Sequence, residues 1–233
     1  MKKNIPNIIT LLNLFCGCCA LVCIFYGRVN WVIYWLILAG FADFLDGMVA
    51  RMLQVHSPLG KELDSLADMV SFGVVPGAML FAMLGGTTIE GDLTSNWVAF
   101  TGFIVSAFSC LRLARFNLDT RQTEDFIGLN TPSATMFVSG LYLIYQYDSF
   151  GFGHIVSNPY YLVPVILILS YLLNSEFRMF SFKFKKGWKG NEFRFALIAA
   201  AFIELILFKE AAFAPIIMTY FVLSFLDTKM NDK

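Results

Sequence analysis

Residues 43–68 read DFLDGMVARMLQVHSPLGKELDSLAD, and they place four aspartates between two strongly apolar stretches of the chain. The middle of this segment contains Ser57-Pro58 and Gly60, residue types that are typical of a turn. The apolar residues on either side are numerous enough to form a helix in each direction. The segment therefore predicts an antiparallel helical hairpin, with its acidic residues near the turn.

The composition of the whole chain indicates a membrane protein. Of 233 residues, 58% are hydrophobic and 15% are charged, whereas soluble domains average about 45–50% apolar and about 25% charged residues. A membrane-spanning helix needs roughly 20 mostly apolar residues. The candidate spans are Ile8–Phe25, Trp31–Val49, Met69–Leu84, Trp97–Ala114, Ser133–Tyr147, Tyr161–Asn174, Phe193–Phe208 and Ala212–Leu226. The sequence predicts an all-α polytopic membrane helix bundle, a single domain over residues 1–233, with about eight spans or a six-span core plus two added helices.

The distribution of positive charge predicts the orientation of this bundle. With eight spans both termini lie on one side, and so do all of the 17 Lys and Arg residues except Arg28 and Lys209. Loops rich in Lys and Arg face the cytoplasm, so the termini and the acidic hairpin turn are expected there. The formal net charge is zero, which provides no broad basic face and argues against nucleic-acid binding.

The four aspartates are spaced so that each pair lies on one helix face. Asp43 and Asp46 are three residues apart, and Asp64 and Asp68 are four apart. A hairpin would bring both pairs together, and the repulsion among four carboxylates then requires cations. Oxygen ligands without a Cys or His set favour Mg²⁺, Mn²⁺ or Ca²⁺. Two such ions in one site are suited to displacement at phosphorus.

A simpler interpretation is that these carboxylates are solvated charges at the membrane interface, paired with Arg51 and Lys61. Two cations do not neutralise four carboxylates, however. Gly47 and Ala50 follow Asp43 by four and seven residues, so they lie on its helix face. Small residues there would leave a hollow for a ligand beside the metal ions.

The hairpin resembles the signature of the CDP-alcohol phosphatidyltransferases at every specified position. In this chain the pattern is Asp43-x2-Asp46-Gly47-x2-Ala50-Arg51-x8-Gly60-x3-Asp64-x3-Asp68. The resemblance implies an integral membrane enzyme, usually a homodimer. Such an enzyme transfers a phosphatidyl group from a CDP-linked lipid to an alcohol and releases CMP. It also implies that Asp43, Asp46 and Asp64 hold two divalent cations, and that Asp68 approaches a metal and acts as the base.

The resemblance further implies which residues bind the CDP-lipid. "PNIIT" (Pro6–Thr10) resembles another feature of the family, in which Asn7 and Thr10 contact the nucleotide. Ordinary capping of the helix N-terminus is the alternative role for these two residues. The full set expected at the CDP-lipid is Asn7, Thr10, Gly47, Ala50, Arg51, Ser57 and Gly60.

Two further segments bear on the acceptor alcohol. "CLRLARFN" (Cys110–Asn117) and "FIGLNTPSAT" (Phe126–Thr135) resemble segments of membrane-embedded phosphatidylserine synthases, although Asn130 stands where relatives often have proline. The resemblance implies CDP-diacylglycerol and L-serine as substrates. Arg112 and Arg115 lie three residues apart, so one could bind the serine carboxylate and the other a lipid phosphate.

Alternatives remain open for the acceptor and for these arginines. Arg112 and Arg115 could instead be interfacial arginines whose charged ends reach the headgroups. Glycerol phosphate or inositol phosphate could replace serine as acceptor. A cation transporter is a different class of function, but it predicts acidic residues spread through the membrane midplane and broken helices in both halves of the chain. Size and resemblance favour a prokaryotic cytoplasmic membrane.

Overall fold

The computed structural model describes residues 4–55, 57–86, 96–118, 126–180 and 191–231. The chain folds as an all-α membrane helix bundle. Its α-helices are α1 (Ile5–Phe25), α2 (Val29–Met52), α3 (Pro58–Asp68), α4 (Val75–Met83), α5 (Phe103–Leu118), α6 (Thr131–Tyr147), α7 (Gly153–Val156), α8 (Pro159–Leu173), α9 (Glu192–Phe208) and α10 (Phe213–Asn231). A π-helix (Met69–Val74) joins α3 to α4, and 3₁₀ helices occupy Trp97–Gly102, Ser149–Gly151 and Lys209–Ala212.

Each of the eight predicted spans overlaps a helix of this bundle. Within the described ranges, four helical stretches are long and apolar enough to cross a membrane: Ile5–Phe25, Val29–Met52, Pro58–Met83 and Trp97–Leu118. The third begins earlier than the sequence predicts, because the helix runs unbroken from the turn at Pro58 through both aspartates. Pro159–Leu173 is a shorter apolar helix. Eight membrane crossings therefore remain a prediction.

The turn between α2 and α3 lies in the segment where Ser57-Pro58 and Gly60 predict one. α2 ends at Met52, and Gln54 adopts a positive φ of 53° as the chain reverses. Ser57 is the N-cap of α3, and its hydroxyl oxygen accepts a hydrogen bond from the Gly60 amide at 3.3 Å. Pro58 occupies the first helical position, where its missing N–H leaves no donor unsatisfied. These residues fix the point at which the acidic hairpin reverses.

The chain divides into two compact units, Met1–Ala114 and Arg115–Lys233. In the first unit α1 packs along α2 and also contacts α3 and the π-helix. Cys16, Ala39 and Phe72 are buried together where these elements meet. A Cβ at Gly17 would lie 2.6 Å from Ser71 Oγ and 3.0 Å from its Cα, so only glycine permits this approach of α1.

The second unit is organised around α10, which packs against α6 and α9. It also contains a short antiparallel strand pair, β1 (Phe126–Ile127) with β2 (Arg178–Met179), which the sequence analysis did not predict. The Tyr220 hydroxyl on α10 donates a hydrogen bond of 2.8 Å to the Phe180 carbonyl, directly after β2. The strand pair is thereby held on the helical part of its own unit.

Part of the positive charge used to predict orientation lies outside the described residues. Lys2, Lys3, Arg121 and the four lysines between 183 and 189 are among these residues. The orientation of the bundle in the membrane therefore remains a prediction from the sequence.

Candidate active site

Three of the four predicted aspartates meet between α2 and α3. One carboxylate oxygen from each of Asp43, Asp64 and Asp68 lies within 4.8 Å of the others. All three side chains are half-buried, where charges are less well screened than in water. Three carboxylates this close need a compensating positive charge. An all-oxygen donor set fits a hard divalent cation such as Mg²⁺, Mn²⁺ or Ca²⁺. We call Asp43, Asp64 and Asp68 the carboxylate group.

The fourth aspartate, Asp46, faces α1. It is 6% exposed, and its Oδ2 accepts a hydrogen bond of 2.6 Å from the Thr10 hydroxyl. Hydrogen bonds to a carboxylate are short and stronger than neutral ones, so this contact fixes the orientation of Asp46. The N-cap of α1 is Asn4, six residues before Thr10. Thr10 therefore does not cap the helix, and it contacts an aspartate of the signature instead.

A polar pair that the sequence analysis missed lies behind Asp68. Asn13 is fully buried, and its Nδ2 donates a hydrogen bond of 3.0 Å to Asp68 Oδ1. Ser71, on the π-helix and also fully buried, donates a hydrogen bond of 2.6 Å to Asn13 Oδ1. The available signal was an asparagine inside an apolar stretch, three residues after Thr10 and on the same helix face.

A cavity of about 310 Å³ opens beside the carboxylate group. The cavity is lined by six of the residues predicted to bind the CDP-lipid and by two aspartates of the signature. They are Asn7, Thr10, Gly47, Ala50, Ser57 and Gly60, with Asp46 and Asp64. Pro6, Val55 and Lys61 complete the lining, and none of them was predicted as a ligand-binding residue. Asp64 belongs to both the carboxylate group and the cavity wall, so a ligand in the cavity lies next to the carboxylates.

The glycines of the hairpin contribute to this cavity in two different ways. A Cβ at Gly47 would have no atom within 4 Å, so the missing side chain leaves open space. A Cβ at Gly60 would lie 3.1 Å from Asn7 Oδ1, so this glycine allows α3 to approach α1 closely. Gly47 thus gives the cavity its volume, and Gly60 brings its two walls together.

The predicted arginines lie in different surroundings. Arg51 is exposed in the last turn of α2, and it does not line the cavity. Arg112 is 7% exposed, whereas Arg115 is exposed, although both belong to α5. Their shared helix face therefore does not give them a shared environment. Arg112 does not line the cavity either.

Comparison with known proteins relates most of the chain to one family. The family model described as CDP-alcohol phosphatidyltransferase matches residues 3–182. The match includes all three helices that contribute to the carboxylate group and the cavity, α1, α2 and α3.

Individual relatives support the same relation. A CDP-diacylglycerol–serine O-phosphatidyltransferase of Bacillus subtilis is 32% identical over 180 residues, which cover 77% of this chain and 91% of the relative. The protein of the same name from Helicobacter pylori is 32% identical over 202 residues, which cover 83% of this chain and 78% of the relative. An archaetidylserine synthase of Methanothermobacter thermautotrophicus is 30% identical over 168 residues, which cover 71% of this chain and 66% of the relative.

Proposed function

The chain belongs to the CDP-alcohol phosphatidyltransferase family, and from this premise we propose that it transfers the phosphatidyl group of CDP-diacylglycerol to L-serine. The products would be phosphatidylserine and CMP. The observation that carries the proposal is the cavity that shares Asp64 with the carboxylate group. A nucleotide in this cavity would hold its diphosphate next to the carboxylates, where the reaction requires charge compensation.

The cofactors would be two divalent cations, Mg²⁺ or Mn²⁺, with Ca²⁺ as a third candidate. Asp43, Asp46, Asp64 and Asp68 would hold them, which is supported by the proximity of three of these carboxylates and the position of Asp46 on the cavity wall. When bound, the cations would neutralise the charge on the diphosphate.

The chain's own residues would bind the nucleotide and accept a proton. Gly47 and Ala50 would form the floor for the cytidine, and Asn7, Thr10, Ser57 and Gly60 would surround the rest of the nucleotide, with Arg51 contacting it from the end of α2. The serine hydroxyl oxygen would attack the phosphorus that carries diacylglycerol, and the bond from this phosphorus to the oxygen of CMP would break. The hydroxyl proton would pass to Asp68 as attack proceeds, and CMP would leave with the bonding electrons.

Serine is the proposed acceptor because two of the relatives described above carry serine in their names and a third is a synthase of archaetidylserine. The segments Cys110–Asn117 and Phe126–Thr135 support the same choice. Arg112 and Arg115 are the proposed ligands for the serine carboxylate or a lipid phosphate. Glycerol phosphate is the second candidate acceptor, because this cationic pair would also suit a phosphorylated alcohol.

The test is a transfer assay on the detergent-solubilised full chain. CDP-diacylglycerol and Mg²⁺ or Mn²⁺ would be supplied with serine, glycerol phosphate or inositol phosphate in separate reactions, and CMP release would be followed. We expect CMP with serine at a rate at least about tenfold above the other acceptors. CMP with glycerol phosphate and none with serine would reverse the choice of acceptor. No CMP with any alcohol would refute the enzyme proposal.

Gly47→Ala tests whether the cavity holds the nucleotide. Its methyl group would enter open space in the empty protein, so the fold should not be destabilised, and glycine-to-alanine changes in helices usually stabilise by about 0.5–1 kcal/mol. With CDP bound the methyl would occupy ligand space. We expect the Kd for CDP, measured by calorimetry in the presence of Mg²⁺, to rise about tenfold or more.

Gly40→Ala is the matched control, because Gly40 lies on the same helix, two turns earlier, and outside the cavity. Its Cβ would lie 3.9 Å from Phe72 Cζ, an ordinary contact distance. The Gly40 variant should bind CDP like the wild type. Equal CDP affinity in both variants would show that the nucleotide does not lie against Gly47.

We propose that residues 1–233 form one integral membrane domain, located in a prokaryotic cytoplasmic membrane. The active site and both termini would face the cytoplasm, where CDP-diacylglycerol, serine and the surrounding membrane lipids meet. A homodimer is the proposed assembly. The positive charge distribution supports the orientation, and membership of the family supports the dimer.

A further inference from the structure

The hydrogen bonds behind Asp68 form a chain from the π-helix to the carboxylate group. Ser71 Oγ lies 2.6 Å from Asn13 Oδ1, and Asn13 Nδ2 lies 3.0 Å from Asp68 Oδ1. Ser71 Oγ also lies 3.1 Å from the backbone carbonyl oxygen of Asn13. Asn13 and Ser71 are fully buried and do not line the cavity. Neither residue belongs to the family signature that Asp68 completes.

The chemistry of these groups fixes the orientation of the Asn13 amide. An ionised carboxylate only accepts hydrogen bonds, so Asp68 requires the NH₂ side of the amide. The carbonyl side then faces Ser71, whose hydroxyl can donate to it. Without the Ser71 hydroxyl, Asn13 Oδ1 would lose the donor that lies 2.6 Å from it. Ser71 thus supports the contact of Asn13 with Asp68 without touching Asp68 itself.

The backbone around these residues allows the close approach of Ser71 to Asn13. Ser71 lies in the π-helix Met69–Val74, directly after Asp68, and π-helical turns inside helices frequently occur at functional sites. Gly17 on α1 leaves room for Ser71, since a Cβ there would lie 2.6 Å from its Oγ. Thr10, Asn13 and Gly17 are spaced by three and four residues, so one face of α1 meets both Asp46 and Ser71.

We propose that Asn13, locked by Ser71, is a positioning residue that orients the Asp68 carboxylate for proton transfer from the acceptor alcohol. The inference rests on the proposed function and adds to it the two residues that hold the base. One oxygen of Asp68 accepts a hydrogen bond from the Asn13 amide, which limits rotation of the carboxylate beside Asp43 and Asp64. Side chains that orient a group holding a metal or the reactants commonly change activity by about 10–100-fold when removed.

The experiment compares Asn13→Ala, Ser71→Ala and the double variant with the wild type in the full chain. CMP release with serine would give kcat and the KM for CDP-diacylglycerol, and calorimetry would give CDP affinity. We expect Asn13→Ala to lower kcat by about 10–100-fold and Ser71→Ala by about tenfold. KM and the Kd for CDP should change by less than about threefold, because neither residue lines the cavity.

The double variant separates positioning from general damage to the fold. If Ser71 acts only through Asn13, the double variant should be no slower than Asn13→Ala, since effects within one hydrogen-bond network are not additive. Ser106→Ala is the matched control, because Ser106 is buried and donates a hydrogen bond of 2.8 Å to the Gly73 carbonyl on the same π-helix. Its kcat should stay within about twofold of the wild-type value.

Each outcome decides the inference. An Asn13→Ala enzyme with wild-type kcat overturns the inference. So does a double variant in which the kcat losses of the two single variants multiply. An equal loss of kcat in Ser106→Ala also overturns it. If Asn13→Ala cannot be recovered folded, Ser71→Ala decides alone: an unchanged kcat refutes the inference, and a selective loss of kcat supports it. A wild-type protein that releases no CMP would instead refute the proposed function, so the two failures are distinguishable.

Discussion

Asp68→Asn is expected to lower the rate of phosphatidyl transfer by about 10³-fold or more while CDP binding is largely retained. An asparagine has the shape of the aspartate, and its carbonyl oxygen can still accept the hydrogen bond that Asn13 donates at 3.0 Å. What the variant loses is the ability to take the proton of the acceptor hydroxyl. General base catalysis contributes about 10²–10⁴-fold, and the loss of one carboxylate charge beside the diphosphate adds to the effect.

The measurement pairs CMP release with calorimetric CDP binding in the same Mg²⁺-containing buffer. A variant that loses turnover but binds CDP within about threefold of the wild-type affinity supports the role as base. Loss of CDP binding and turnover together would instead indicate that Asp68 mainly holds a metal ion. Asp68 does not line the cavity, so direct contact with the cytidine would not explain such a result.

Removal of divalent cations is the second large effect that we expect. Treatment with EDTA should abolish CMP release, and excess Mg²⁺ or Mn²⁺ should restore it, because three carboxylates within 4.8 Å of one another require a compensating positive charge. Binding of the ion should also raise the thermal midpoint of unfolding, since a ligand at 100 times its Kd stabilises the folded state by about 2.7 kcal/mol. This second readout requires neither substrate nor turnover.

Two variants on the acidic hairpin show whether the ion binds where we propose. Asp43→Asn removes one member of the carboxylate group, so Mn²⁺ should raise its thermal midpoint much less than that of the wild type. Glu62→Gln removes an exposed carboxylate two residues before Asp64, and it should respond to Mn²⁺ like the wild type. A full response of the Asp43 variant to Mn²⁺ would contradict the proposed site.

The sequence predicted the acidic hairpin well because several independent signals coincide there. Apolar stretches predict the helices, Ser57-Pro58 and Gly60 predict the turn, and spacing predicts which aspartates share a face. The structure has this turn and brings Asp43, Asp64 and Asp68 together. The small residues also proved informative, since Gly47 and Ala50 line the cavity. All of these signals are local, and the hairpin is a local structure.

Contacts between distant parts of the chain were the ones that spacing could not predict. Asp46 bonds to Thr10, and Asn13 bonds to Asp68, across separations of 36 and 55 residues. The π-helix at Met69–Val74 contacts α1, and no periodicity in the sequence predicts such a departure from α-helical geometry. Arg112 and Arg115 have suitable spacing, yet one is buried and the other exposed, because burial depends on neighbouring helices. The short strand pair likewise joins segments far apart in sequence.

The confinement of all four aspartates to one hairpin has a consequence for biosynthesis. At a rise of about 1.5 Å per residue, Asp43 lies about 14 Å and Asp68 about 15 Å from the end of its helix at the turn. Both distances are well below the thickness of a hydrocarbon layer of roughly 30 Å, so the four aspartates lie in the half of the hairpin nearer the turn. If the turn stays on the ribosomal side while the two helices insert, none of these four aspartates has to be translocated across the whole bilayer. The nascent chain can thus bury these four carboxylates without the large barrier that full passage of a carboxylate through lipid would impose.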